Sequence, residues 1–380
     1  MEEKLTMNIA IITEYFPQSE DLEIKGGVEV CAYNEAVELS KYNNITVITS
    51  NESGKDDFYI GDIHVICCGN KRDYTQKGSF IKRLKFMKEA YKQACKLKDI
   101  DIIIGYNFIT YPVAYKSSQK LNIPVVARYH DVWIGRWTKM MGLPGLFGEA
   151  MERYILNQDI DLILPVSDYT NKNLQKYTNP EHIKTVHNIV DFPNVTSEKY
   201  DKPTISCVAR LVDYKRVKDL IKAVCIIKKT IPDIQCKIIG TGPEKDNLIQ
   251  LTHKLGVDDN IEFMGFVEKH EDVMKVVNSS DVFCLPSVVE GFGIVIIEAI
   301  SLKTPFVAAE IPPVVEASGR YGGLFYEPRN YEQLADALLK ILTDEELYKK
   351  LQKEGYAQSK NYSKQAIGEK LNKYINKLKN

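Results

Sequence analysis

Two glutamates eight residues apart, Glu290 and Glu298, bracket a turn that contains Gly291, Phe292 and Gly293. The apolar run at residues 282–285 reads as a buried strand, and Ile294, Ile297, Glu298 and Ile300 follow a helical pattern, so the stretch is a strand-to-helix turn. Glycines at such a turn let backbone N–H groups approach a ligand, and the helix N-terminus favours anionic or oxygen-rich partners. Glu290 precedes the helix and Glu298 lies two turns inside it, ~12 Å further on. That separation suits the two ends of an extended ligand better than a shared metal or a catalytic carboxylate pair.

Other residues have the types that hold phosphate. Arg210 and Lys215 flank a turn after the strand pattern at 204–209, and Gly240-Thr241-Gly242 follows the next strand. The latter is Gly-x-Gly without the third glycine of a dinucleotide fingerprint, so it suits a nucleotide loop without indicating NAD. Gly26 and Gly27 separate a strand pattern at 7–12 from a helical one at 28–41; taken alone, they read as a flexible loop. His130 and Asp131 stand just past the strand pattern at 125–127, on the side where parallel sheets place ligands. Two Asp-x-Asp strings, at 99–101 and 159–161, precede strands and so sit at the opposite end; a metal role is not expected of them.

Positioning these residues takes a repeated strand-helix-strand pattern. Candidate strands at 45–49, 63–67, 102–105, 162–165 and 304–309 complete two runs of alternation, which implies parallel sheets covered by helices on both faces. A polar, proline-bearing stretch through Pro203 reads as the linker. The expected domains are 1–195 and 196–362, with a last helix at 363–380, and a chain of 380 residues is long enough for two cores.

Composition narrows the function classes. The chain is 44% hydrophobic and 27% charged, as in soluble globular proteins. Its 50 Lys and Arg balance 51 Asp and Glu, so no global field draws it to nucleic acid. Eight cysteines lack metal-ligand spacing and read as buried, reduced thiols in a cytoplasm. The apolar run at 7–12 is too short for a signal peptide or a membrane span.

Two segments suggest a membrane surface. From Ser79 to Lys98, seven basic residues face one acid, Glu89, while Phe80, Leu84, Met87, Tyr91 and Ala94 recur at helical spacing. Such an amphipathic cationic helix can lie on anionic headgroups. The apolar segment 133–147 contains both tryptophans, Trp133 and Trp137, and aromatic rings favour the water–lipid boundary. The alternative is a helix packed on its sheet, with solvated lysines and core tryptophans.

The turn Pro286-Ser287-Val288-Val289-Glu290-Gly291-Phe292-Gly293, with Glu298 beyond it, resembles the signature of retaining GT-B glycosyltransferases of family 4, the glycosyl transferases group 1. The resemblance implies two doubly wound parallel-sheet (Rossmann-like) domains facing a cleft, with the last helix crossing back onto the first. It implies a nucleotide-diphosphate sugar as donor, with neither cofactor nor metal. By the same resemblance Glu290 and the amides of Gly291, Phe292 and Gly293 hold the donor sugar, and Glu298 holds the ribose. Arg210 and Lys215 clamp the diphosphate, the amides of Gly26 and Gly27 face the phosphates, Gly240 and Gly242 belong to the nucleotide loop, and His130 contacts the sugar.

The chain departs from the family pattern at Ile189, Lys303 and Ile311-Pro312-Pro313, where glycines are common. No carboxylate nucleophile is evident on the opposite sugar face, so a front-side, ion-pair-like substitution is implied. The implied acceptor is a glycan, lipid-linked or of the cell envelope, reached by a cytoplasmic protein that is peripheral on the membrane. The alternatives are a non-catalytic partner subunit that binds a nucleotide sugar or lipid, and an enzyme such as an epimerase that uses nucleotide sugars without transfer.

Overall fold

The structure, a computed structural model, describes residues 6–19, 27–71, 80–192 and 195–378. The chain folds as two units, Met1–Ile189 with Lys364–Asn380, and Val190–Ser363.

The first unit runs β1 (Asn8–Ile12), α1 (Gly27–Ser40), β2 (Asn44–Ser50), β3 (Asp57–Ile60), β4 (Ile63–Cys68), α2 (Phe80–Ala94), β5 (Ile102–Gly105), α3 (Tyr111–Leu121) and β6 (Val125–Tyr129). It continues with α4 (Trp137–Met141), α5 (Gly145–Leu156), β7 (Leu162–Pro165) and α6 (Asp168–Leu174). Its seven-stranded sheet has the order β3-β4-β2-β1-β5-β6-β7. Every neighbouring pair is parallel except the hairpin of β3 with β4. The central strand is buried on both faces: Ile9 and Ile11 feed one cluster with Ala32, Ala36 and Leu39 of α1, and Ala10 and Ile12 feed another with Phe86 and Ala90 of α2. Ile189, which stands where a glycine was looked for, is buried in the first of these clusters.

The second unit runs β8 (Thr204–Val208), α7 (Val217–Ile227), β9 (Gln235–Ile239), α8 (Lys245–Leu255), β10 (Ile261–Gly265), α9 (His270–Ser279) and β11 (Val282–Leu285). Then come α10 (Ile294–Ser301), β12 (Phe306–Ala309), α11 (Pro312–Ser318), β13 (Gly323–Tyr326), α12 (Tyr331–Thr343) and α13 (Glu345–Ser359). Its six strands are all parallel, in the order β10-β9-β8-β11-β12-β13. The order therefore reverses between β8 and β11, the kind of switch point beyond which open α/β sheets bind ligands. The final helix, α14 (Lys364–Asn376), returns to the first unit, where Ile367, Leu371 and Ile375 join the α1 side of the core.

Two expectations change. On α2 the stripe facing the sheet is Phe86, Ala90 and Ala94 with Met87 and Tyr91 beside it, whereas Leu84 points outward. Ser79 lies outside the described residues, as does the side chain of Phe80. In the segment 133–147 Trp133 is half-buried, and Trp137 is not a surface feature: it is buried and its Nε1 donates to Glu152 at 2.6 Å. No helix among the described residues is long and apolar enough to cross a membrane.

Candidate active site

The loops that leave β8 and β11, on either side of the switch point, carry Arg210, Lys215 and Glu290. They are tied together through the backbone, because Val288 N donates to Tyr214 O at 3.0 Å. Lys215 Nζ lies 2.5 Å from Glu290 Oε1, and both side chains are largely covered. Arg210 is half-buried, and its Nε is buried without a hydrogen-bond partner. A lysine and a carboxylate thus meet beyond the strand ends, with Arg210 on the same β8 loop, in surroundings that strengthen their fields relative to open water.

Gly240 and Gly242 complete this corner for a reason of packing. A Cβ on Gly240 would stand 2.0 Å from Ala209 O, and one on Gly242 2.2 Å from Leu211 O. The loop lies directly against the backbone of the β8 turn, held by Leu211 N to Thr241 O at 2.9 Å and Glu244 N to Leu211 O at 3.0 Å. The glycines therefore fix the backbone from which Arg210 projects.

Gly293 precedes α10 with φ +104°, a conformation that favours glycine, and turns the chain so that the helix N-terminus opens beside Gly291. The ring of Phe292 is buried edge-on against Tyr362, 5.5 Å between centroids, so only the backbone of Phe292 is offered to a ligand. Because α10 begins at Ile294, Glu298 sits one turn inside it and not two. Glu298 has a different cation from Glu290: its Oε1 is 3.2 Å from His270 Nε2 at the start of α9. Burial opposes charge on His270, but the hydrogen bond and charge of Glu298, with Asp191 beyond, raise its pKa above the usual histidine value. His270 is the site residue that the sequence did not give away. Its place at the turn between β10 and α9 becomes meaningful once Glu298 is known to face it.

In the first unit, His130 directly follows β6. Burial first, and the charge of Arg128 second, lower its pKa to about 3, so the ring is neutral at physiological pH. Arg128 itself is fully buried and held by Glu35 at 2.6 Å and by the carbonyls of Leu164, Val186 and His187 at 2.9, 2.6 and 3.1 Å. Tyr106 Oη also donates to Glu35. This buried ion pair fixes the end of β6 from which His130 emerges. The Asp131 carboxylate accepts from Val132 N at 2.8 Å and faces Arg136. Gly27 opens α1 with no atom of the described residues within 4 Å of where a side chain would begin, and Gly26 lies outside the described residues.

The Asp-x-Asp strings are occupied by backbone: Asp101 accepts from Asn8 N and Asp161 from Val125 N, each at 2.8 Å. Among the described residues no group of three or more His, Cys, Asp or Glu side chains is placed to hold a metal. None of the eight cysteines forms a disulfide, and burial pushes the thiol pKa values of Cys67 and Cys207 up, to about 11 and about 12.

Comparison with known proteins fits this geometry. Residues 25–192 match the family model described as Glycosyltransferase Family 4, and residues 190–358 match the one described as Glycosyl transferases group 1. An uncharacterized glycosyltransferase of Haemophilus influenzae is 25% identical over 346 residues, covering 90% of this chain and 94% of that protein. Among solved structures, sucrose-phosphate synthase from Thermosynechococcus elongatus superposes with a TM-score of 0.83 at 19% identity, covering 98% of this chain and 99% of that one. Anabaena HepE in complex with UDP and glucose superposes with a TM-score of 0.77 at 17% identity, covering 98% and 100%.

Proposed function

Since the chain belongs to the group 1, family 4 glycosyltransferases of GT-B fold, we propose that it transfers a hexosyl or N-acetylhexosaminyl group, with retention, from a nucleotide-diphosphate sugar to a lipid-linked or cell-envelope glycan. The observation that carries this reading is the pairing of Lys215 with Glu290 across the loops that leave β8 and β11 at the switch point, with Arg210 on the first of these loops. The complex of HepE with UDP and glucose supports a donor of this chemical class.

In this reading the anomeric C–O bond to the β-phosphate breaks, and its electron pair leaves with the diphosphate. The acceptor hydroxyl oxygen bonds the anomeric carbon on the face that the phosphate vacates, and its proton passes to the departing phosphate oxygen. Arg210 and Lys215 stabilise the charge that develops there. At about 4 Å and an effective dielectric of about 20, each cation contributes about 4 kcal/mol, less where water enters. Two protein cations supply what a metal supplies elsewhere, so no metal is required. Glu290 holds sugar hydroxyls with the amides of residues 291–293, Glu298 holds the ribose with His270 behind it, and neutral His130 offers one hydrogen bond to the sugar.

The test is to incubate the protein with UDP-glucose, UDP-N-acetylglucosamine and GDP-mannose, with and without a lipid extract, and to measure released nucleotide diphosphate. Release that depends on acceptor and persists in EDTA is expected. Tight nucleotide-sugar binding without release under any acceptor would instead identify a non-catalytic partner, and loss of release in EDTA, restored by Mg²⁺, would reject the metal-free mechanism.

A further inference from the structure

The helix α10 carries one charged side chain. Its sequence is Ile-Val-Ile-Ile-Glu-Ala-Ile-Ser, and Ile296, Ile297, Ala299 and Ile300 are buried around Glu298, whose own side chain is only 7% exposed. A carboxylate in such surroundings is costly unless it is paired and hydrogen-bonded. Its ion-pair partner among the described residues is His270, the first residue of α9, which meets one carboxylate oxygen, Oε1, with Nε2 at 3.2 Å. The His270 side chain is 43% exposed, so the ring exchanges protons with water while its partner scarcely touches it.

The groups around the ring favour a proton on it. Burial works against the charge, but Glu298 faces the ring from α10 and Asp191 adds negative charge from the start of the second unit, and the pKa stands above the ordinary 6.5. On α9 itself, Glu271 and Asp272 are both turned to Lys275, each at 3.0 Å. Glu268 and Lys269, exposed in the turn before the helix, offset one another in sign. The strand β8 packs against α9 and has one titratable side chain, Cys207, which lies in the core on the other face of the sheet. Lys199 is at the far end of the helix, on the carbonyls of Asn278 and Ser280 at 2.8 and 2.5 Å.

Protonation changes what Glu298 can do. An imidazolium donates from both nitrogens, so Nε2 carries a hydrogen toward the carboxylate, whereas a neutral ring has a single N–H and can turn a lone pair there instead. A ligand that covers Glu298 removes the little water left on it, and this costs less for a compensated carboxylate than for a bare one. A ribose diol, which donates to the carboxylate and brings no charge, is such a ligand.

We propose that His270 is a positioning residue that couples nucleotide binding to proton uptake: the imidazolium holds Glu298 Oε1, and the carboxylate so fixed receives the ribose hydroxyls. The inference rests on the ribose-holding role of Glu298 proposed above and adds the residue that governs the charge of that subsite. Affinity for a nucleotide is then highest where the ring is protonated and falls as pH rises above 6.5 and the proton is lost.

Two measurements on the full chain test this. Without ligand, proton NMR follows the imidazole resonances against pH; the chain has six histidines, and the His270 signal is the one missing from His270→Gln. Its titration should move to lower pH in Glu298→Gln, and an unmoved titration overturns the pairing. Calorimetry then measures binding of UDP-glucose and of GDP-mannose, whose diphosphate diesters keep a constant charge, from pH 6 to pH 8.5. The parent should bind roughly 5-fold more weakly at the upper end, the difference between a charged and a neutral donor, and should take up protons on binding near neutrality. His270→Gln keeps a donor without a titrating charge, so it should bind with one affinity across the range, and His270→Ala should bind more weakly than His270→Gln throughout. A side chain that served structure alone would lower affinity without flattening the profile. Binding that does not change with pH in the parent, or a profile that His270→Gln leaves as it was, overturns the proposal and leaves the donor reading standing. Absence of binding by either nucleotide sugar at every pH overturns both.

Discussion

Lys215 and Glu290 neutralise one another at 2.5 Å, so in the proposed reaction a diphosphate that draws the ammonium away would leave the carboxylate able to accept hydroxyl donors from the sugar. One rearrangement thereby prepares both ends of the scissile bond. Arg210→Ala or Lys215→Ala should cost roughly 100-fold or more in kcat while moving the unfolding midpoint little, because neither is a core side chain; steady-state kinetics beside thermal denaturation checks this, and unchanged kcat in either variant removes that residue from the clamp. The two glutamates should fail differently, since Glu290 is held by Lys215 and Glu298 by His270. Glu298→Ala should weaken binding of the nucleotide diphosphate alone, whereas Glu290→Ala should matter mainly for the intact donor. Calorimetry with both ligands separates them, and equal losses would contradict the assignment.

The α4–α5 hairpin ties its packing to a proton. Burial raises the Glu152 carboxyl to about 7, against the opposing hydrogen bonds from Trp137 Nε1 and Trp133 N and with a further push from Asp131 and Glu149. The folded state therefore binds this proton more tightly than the unfolded chain does. Stability falls as pH rises from about 4.5, the ordinary value, to about 7, and is level above. Glu152→Gln should remove that slope, so its unfolding midpoint gains on the parent between pH 5 and pH 8; a constant difference across that range would contradict it.

The same hairpin shows where sequence stops being informative. Alternation of apolar runs and helical patterns placed β1, β5, β7, β8 and β11 because strands buried on both faces need no partner to declare themselves. The edge strand β3, Asp57–Ile60, was not legible, since only Ile60 is buried and the pairing that makes it a strand comes from β4. Outward Leu84 and inward Trp137 were misjudged for a related reason: side-chain type says what burial is worth, not which neighbour supplies it. At the site, Glu290, Glu298, Arg210 and Lys215 could be singled out as residues, but the pairing of Glu298 with His270 joins two helices 28 positions apart and needed the fold. Lys303 is legible only in retrospect. It takes φ +58° after α10, where glycine is the unstrained choice.

At the scale of the molecule, the first unit is discontinuous: Lys364–Asn380 belongs to it although residues 190–363 intervene. Ile367, Leu371 and Ile375 of α14 are buried against Ala32, Ala36 and Leu39, and Asn372 accepts a hydrogen bond from Asn43 at 3.1 Å. Leu371→Ala should therefore destabilise the first unit by about 2–5 kcal/mol. Both tryptophans of the chain, Trp133 and Trp137, are in that unit, so tryptophan fluorescence during denaturation reports on it alone. A fluorescence transition that Leu371→Ala leaves unmoved would show that α14 is dispensable to the first core.

That discontinuity sets a schedule for biosynthesis. Domains made on a ribosome ordinarily mature from the N-terminus onward. Here the segment 190–363 is contiguous and has its whole sequence as soon as it emerges, while the unit begun first waits for residues 364–380. A ribosome that stalls within the 17 codons for Lys364–Asn380 leaves a chain with a complete second unit and an open seam along α1. The absence of α14 is thus written into the apolar surface left uncovered, a form in which proteases and chaperones can read it.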